Sequence, residues 1–130
     1  MNSFTAFILA HEDLAFSLKN TVEKITGTQN SIFPYSNKTE ILPIIFEKIN
    51  NQISELNSDI IFVFVDLVGG SCWSLANMIL KENPEIIIIG GVNLPMILSL
   101  IINHANLSAE KLIDKILEDS KKGIKVLGGN

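Results

Sequence analysis

His11 directly follows a seven-residue apolar run, Phe4–Ala10. A neutral imidazole is a nucleophile, and its reference pKa of about 6.5 keeps that form well populated near neutrality. Only one ring nitrogen can attack, so something must fix the tautomer and the ring. A carboxylate bonded to the other nitrogen does both, and it balances the positive charge that develops on the ring. Asp66 is the natural candidate, because it ends a second apolar run, Ile60–Val65. Gly69-Gly70-Ser71 comes next and opens a helical stretch. Glycines let backbone N–H groups approach an anion, helix N-termini favour phosphate, and the Ser71 hydroxyl adds a donor. Each feature also has a plainer reading. His11 can fill a strand-to-helix turn, Asp66 can bond nearby amides, and GGS can be a loop with an N-cap. It is no Walker loop, since the Gly-Lys-Ser/Thr run is missing.

The remaining reactive residues carry less. Glu12 and Asp13 suit the first turn of a helix, where negative charge is favourable. His104 sits late in a helix and reads as a surface residue or charge partner. Cys72 reads as a small packing residue. Trp73 reads as a packing anchor or part of a partner surface. One histidine with carboxylates is too thin a set for zinc, so no metal and no cofactor are expected.

Parallel strands are needed to bring these residues to one place, and the hydrophobic pattern supplies them. Phe4–Ala10, Ile60–Val65 and Glu85–Ile89 are strongly apolar segments of strand length, Ile60–Val65 without a break, as in sheets buried on both faces. Ser31–Tyr35 is a weaker strand, with Pro34 placing it near an edge. Helical spacing links Leu14, Leu18, Val22 and Ile25 before Gly27. A second helix carries Ile41, Leu42, Ile45, Phe46, Ile49, Ile53 and Leu56, with Thr39 as its expected cap. Ser71–Glu82 and Leu94–His104 are helical, Pro95 being tolerated in a first turn. Ser108 caps a last helix that Gly123 ends, and Ile124–Leu127 reads as a short final strand. This alternation predicts one α/β domain over residues 1–130, an open and mostly parallel sheet of about five strands. Ligands bind such sheets outside the carboxyl ends of the strands, at a switch point. His11, Asp66, Gly69–Ser71 and the trio Gly90, Gly91 and Asn93 all fall at that edge.

Composition limits the partners. The chain has 130 residues, 47% of them hydrophobic, and a net charge of −4. That length supports one core. A duplex-binding protein would show a basic stripe, and none is present. One cysteine excludes an internal disulfide and fits a reducing cytosol. No basic, apolar and small-residue series marks a signal peptide near Met1. The apolar segment Ile86–Ile102 is broken by Gly90, Gly91, Asn93 and Pro95, which favours strand, turn and helix over a membrane span.

His11 after the first strand, FVDLVGGSCWSLAN at 64–77, IIGGVNLPMIL at 88–98 and KKGIKVL at 121–127 together resemble a known family. It is the enzyme IIA domain of the mannose/fructose/sorbose family of the sugar phosphotransferase system (PTS). The resemblance covers essentially the whole chain. It implies a three-layer α/β sandwich, dimeric, with the last strand, here Ile124–Leu127, antiparallel and exchanged between subunits. It implies a cytoplasmic phosphorelay: the phosphocarrier HPr gives a phosphoryl group to His11, which passes it to the IIB component for sugar uptake through membrane IIC and IID partners. Asp66 then orients His11, and Ser71 with Gly69 and Gly70 holds the phosphoryl group. Two positions depart from the pattern. The family usually has Gly after the histidine, where Glu12 stands, and often Pro after the GGS serine, where Cys72 stands. A competing reading is a response-regulator-like domain, with Asp66 as phosphoacceptor and Glu12 and Asp13 helping to hold Mg²⁺. A third is a binding domain that no longer relays. The sugar is not legible in the sequence.

Overall fold

The structure is a computed structural model and describes residues 2–130. Four strands form one sheet: β1 (Phe4–Ala10), β2 (Ile32–Ser36), β3 (Ile60–Val65) and β4 (Ile87–Gly90). Their order is β2-β1-β3-β4, and every neighbouring pair is parallel. All residues of β1 and β3 are buried, as expected for central strands covered on both faces. The edge strands β2 and β4 are only partly buried. Pro34 lies in β2, at the edge, where one side of the strand needs no ladder donor.

Five helices cover the sheet: α1 (Leu14–Thr26), α2 (Leu42–Ser54), α3 (Ser71–Glu82), α4 (Leu94–Asn103) and α5 (Ala109–Lys122). Alternation along β1 and β3 divides the core in two. Ala6, Ile8, Phe62 and Phe64 face α1, α4 and α5, meeting Val22, Ile97, Leu100 and Leu112. Phe7, Leu9, Val63 and Val65 face α2 and α3, meeting Ile45, Ile49, Leu75 and Ile79. The result is the three-layer α/β sandwich the sequence predicts.

Several boundaries differ from expectation, each for a local reason. Thr39 does not cap α2. Its hydroxyl donates to the Ser36 carbonyl, and the helix starts after Ile41 with Pro43 in its first turn. β4 begins at Ile87 because the Ile86 N–H closes a turn on the Asn83 carbonyl. Asn93 is the N-cap of α4, its side chain accepting from the Met96 N–H at 2.9 Å. Its amide also reaches the Ser120 carbonyl of α5 at 3.4 Å. His104 is neither free surface nor charge partner. Its Nδ1 lies 2.7 Å from the Asn2 carbonyl, and its ring packs edge-on against Phe4. A fifth strand is not formed within the single chain. Residues 124–130 are exposed and pair with no strand of the described residues. No helix among those residues is long and apolar enough to cross a membrane.

Candidate functional site

The topology fixes the place of the site. The chain runs from β1 outward to β2, then returns to lay β3 on the other side of β1. The switch point therefore lies between the carboxyl ends of β1 and β3, which are in register at Leu9 and Val65. His11 follows one strand and Asp66 the other.

The two side chains meet there. Asp66 Oδ2 accepts from the His11 backbone N–H at 2.9 Å and lies 2.8 Å from His11 Nδ1. An ionised carboxylate only accepts, so Nδ1 of a neutral ring carries the proton and Nε2 keeps its lone pair. One oxygen thus anchors both the backbone and the ring of His11. The Asp66 side chain is 10% exposed and that of His11 37%, so the carboxylate is shielded while the ring reaches solvent. The second oxygen, Asp66 Oδ1, is buried without a hydrogen-bond partner among the described residues.

Nε2 faces the start of α3. The Ser71 hydroxyl is 3.3 Å from it. The first α3 bond is that of Ser74 N–H to the Gly70 carbonyl, so the N–H groups of Ser71, Cys72 and Trp73 have no intrahelical acceptor. They and the helix dipole favour an anion at this end. The two glycines before α3 act differently. Gly69 has φ of +93°, a left-handed turn suited to glycine. Gly70 makes room: a Cβ there would lie 3.3 Å from His11 Cε1. An apolar groove of about 430 Å³ opens beside Ser71, between α2 and α3, lined by Leu42, Phe46, Leu75 and Met78.

Cys72 joins His11 and Asp66 in a cluster whose donor atoms lie within 4.8 Å of one another. Burial, and then the negative charge of Asp66, push the Cys72 thiol up to about 11. It stays protonated near neutrality, which makes it a poor metal ligand. Trp73 is half-buried against Gly90, where a Cβ would clash with its ring. Gly91 and Asn93 shape the entry to α4 and are not part of the cluster around His11.

Glu12 and Asp13 do not lie in the first turn of α1, which begins at Leu14. Glu12 has φ of +54°, a left-handed conformation that costs a non-glycine residue roughly 1–2 kcal/mol. Both carboxylates face Lys38, at 3.5 Å from Glu12 and 3.2 Å from Asp13. These partners, Asp13 foremost, raise the Lys38 ammonium above its ordinary range. The acidic pair is thus turned to Lys38 and Asp66 to His11, which does not assemble the acidic metal pocket of the response-regulator reading. Ser36, the last residue of β2, and Lys38 just beyond it belong to this neighbourhood. Ser36 is fully buried, and its hydroxyl donates to the Glu12 carbonyl at 2.5 Å. The available signal was topological: the end of β2 must reach the same sheet edge as the end of β1.

The fold and site define a class: a small parallel α/β domain with a carboxylate-held histidine at the switch point, beside a helix N-terminus. The family model described as EIIA-man, PTS system fructose IIA component, matches residues 6–117. The chain belongs to that family, and is a IIA component of the sugar phosphotransferase system, a phosphotransfer protein. It is 32% identical over 111 residues to the sorbose-specific EIIA component of Klebsiella pneumoniae, covering 82% of this chain and 79% of that one. It is 29% identical over 124 residues to the mannose-specific EIIAB component of Escherichia coli K12, covering 90% of this chain and 37% of that one. The crystal structure of EIIA from Streptococcus agalactiae superposes with a TM-score of 0.84 at 20% identity, covering 95% of this chain and 96% of that one.

Proposed function

We propose that this chain is a cytoplasmic phosphohistidine relay: His11 accepts a phosphoryl group from phospho-HPr and passes it to a IIB component, which feeds sugar uptake through membrane IIC and IID partners. The observation that carries this reading is the two-sided hold on the His11 ring. Asp66 Oδ2 engages Nδ1 at 2.8 Å, and Nε2 faces the Ser71 hydroxyl at 3.3 Å.

The chemistry follows from that geometry. Nε2 of the neutral ring attacks phosphorus in line. The P–N bond of the donor breaks, and its electron pair stays on the donor ring. As the Nε2–P bond forms, the His11 ring becomes cationic while Nδ1–H still points at the Asp66 carboxylate. The anionic oxygens then meet the Ser71 hydroxyl and the free N–H groups at the start of α3, with Gly69 and Gly70 leaving the approach open. Transfer between two histidines needs positioning and charge stabilisation more than covalent chemistry. The steps reverse when the group leaves for IIB. No metal or cofactor enters this scheme. The apolar groove beside Ser71 offers a seat for the carrier proteins, and the relative named EIIAB supports IIB as the next station.

The test is mass spectrometry after incubation with phosphoenolpyruvate, enzyme I and HPr. One phosphoryl group is expected on His11, stable in base and labile in acid, and His11→Gln is expected to abolish it. A label on Asp66, labile to hydroxylamine, would establish the response-regulator reading instead, and full labelling of His11→Gln would overturn the assignment.

A further inference from the structure

Glu12, the residue after the proposed acceptor, sits in a left-handed conformation at φ +54°, with its carboxylate in solvent. An L-residue holds that conformation only when its surroundings impose it. One side chain holds the Glu12 carbonyl itself. Ser36, the last residue of β2, is fully buried; its hydroxyl donates to the Glu12 carbonyl at 2.5 Å and accepts from the Lys38 N–H at 3.0 Å. Lys38 in turn extends its ammonium to Glu12 and Asp13. The turn that carries His11 is therefore pinned on both sides of β1, by Asp66 beyond β3 and by Ser36 at the end of β2.

We infer that the end of β2 is a positioning and charge-balancing element for the acceptor: Ser36 holds the Glu12 turn that aims His11, and Lys38 offsets the two carboxylates beside it. The inference rests on the reading of His11 as phosphoacceptor. The roles separate kinetically. Ser36 acts on geometry, which is felt in the transfer step. Lys38 acts on the field met by the anionic phosphoryl group that the donor presents, which is felt in encounter and fades with salt.

The experiment is phosphoryl transfer from phospho-HPr to the full chain, followed by rapid quench over a range of HPr concentrations. Ser36→Ala is expected to lower kcat roughly 10- to 100-fold with little change in KM, since small misplacements of a reacting atom are costly. Glu12→Gly removes the need for restraint, because glycine enters the left-handed region freely. In that background Ser36→Ala is expected to cost no more than about twofold. Lys38→Gln is expected to raise KM roughly two- to tenfold at low ionic strength, leaving kcat unchanged. The rise is expected to vanish in high salt. A wild-type chain that takes no label overturns the reading of His11 and this inference with it. A labelled wild type with equal Ser36→Ala losses with and without Glu12→Gly, or with Lys38→Gln unchanged in KM, overturns the inference alone. Should Ser36→Ala not melt cooperatively, the exposed Lys38 arm decides.

Discussion

A single carboxylate oxygen does two jobs at His11, and that sharing predicts how the site fails. Asp66 Oδ2 takes both the backbone N–H and ring Nδ1. Removing it frees the ring to rotate and to change tautomer, and leaves the developing ring charge unbalanced. Asp66→Ala is therefore expected to slow phosphoryl acceptance by roughly 10²–10⁴-fold, the range seen when an orienting acid or base partner is lost. Circular dichroism should still show a folded chain. Rapid-quench labelling checks the rate, and an unchanged rate would remove Asp66 from the mechanism. Gly70 offers a finer probe. Its backbone, at φ −87° and ψ −178°, is open to any residue, but an added Cβ would press on His11 Cε1 at 3.3 Å. Gly70→Ala is expected to preserve the melting temperature and reduce the labelling rate. A lowered melting temperature with an unchanged rate would place the pressure in the fold instead.

At the scale of elements, β3 and the starts of α3 and α4 were legible because their signals are local. Ile60–Val65 is an unbroken apolar run ended by Asp66, and GGS punctuates the entry to α3. Parallel topology then brings His11, Asp66 and Ser71 together without further information. The Glu12 conformation and the Ser36 and Lys38 contacts were not legible, since they depend on how β2 lies against β1. The cap of α2 was misread for a related reason: Thr39 spends its hydroxyl on Ser36, and Pro43 was the better marker. Asn93 shows a motif residue whose work is structural. It caps α4 and bridges to α5, so Asn93→Ala is expected to cost about 1 kcal/mol, and at most about 2. For a chain of this size that is a fall of roughly 3–6 °C in Tm. Labelling of His11 well below that temperature should stay near wild type, because the cap touches no residue of the cluster. Thermal melts and the labelling assay together check this, and a large loss of labelling in a stable variant would move Asn93 into the site.

The whole molecule leaves one apolar account open. Ile124, Val126 and Leu127 are 77%, 83% and 89% exposed, in a segment that pairs with no strand of the described residues. On the sheet, β4 is an edge strand with one side unpaired. An exposed edge and an extended apolar segment are complementary hazards in a single chain, and pairing them removes both. Residues 124–127 lie just after α5, whose C-cap is Gly123. The proposal that follows is a homodimer, in which each copy lays residues 124–127 antiparallel on its partner's β4. A buried aspartate at the centre of that strand would lack a partner for its charge. Val126→Asp is therefore expected to shift the mass measured by light scattering after size exclusion from dimer to monomer. Lys125→Asp, on the opposite face of an extended segment, is expected to leave the dimer in place. A wild type that runs as a monomer at tens of micromolar, or a Val126→Asp variant that remains dimeric, would overturn the exchanged strand. Because His11 lies at the switch point between β1 and β3, away from the β4 edge, the monomeric variant is expected to retain phosphoryl acceptance. This separates the assembly from the chemistry it supports.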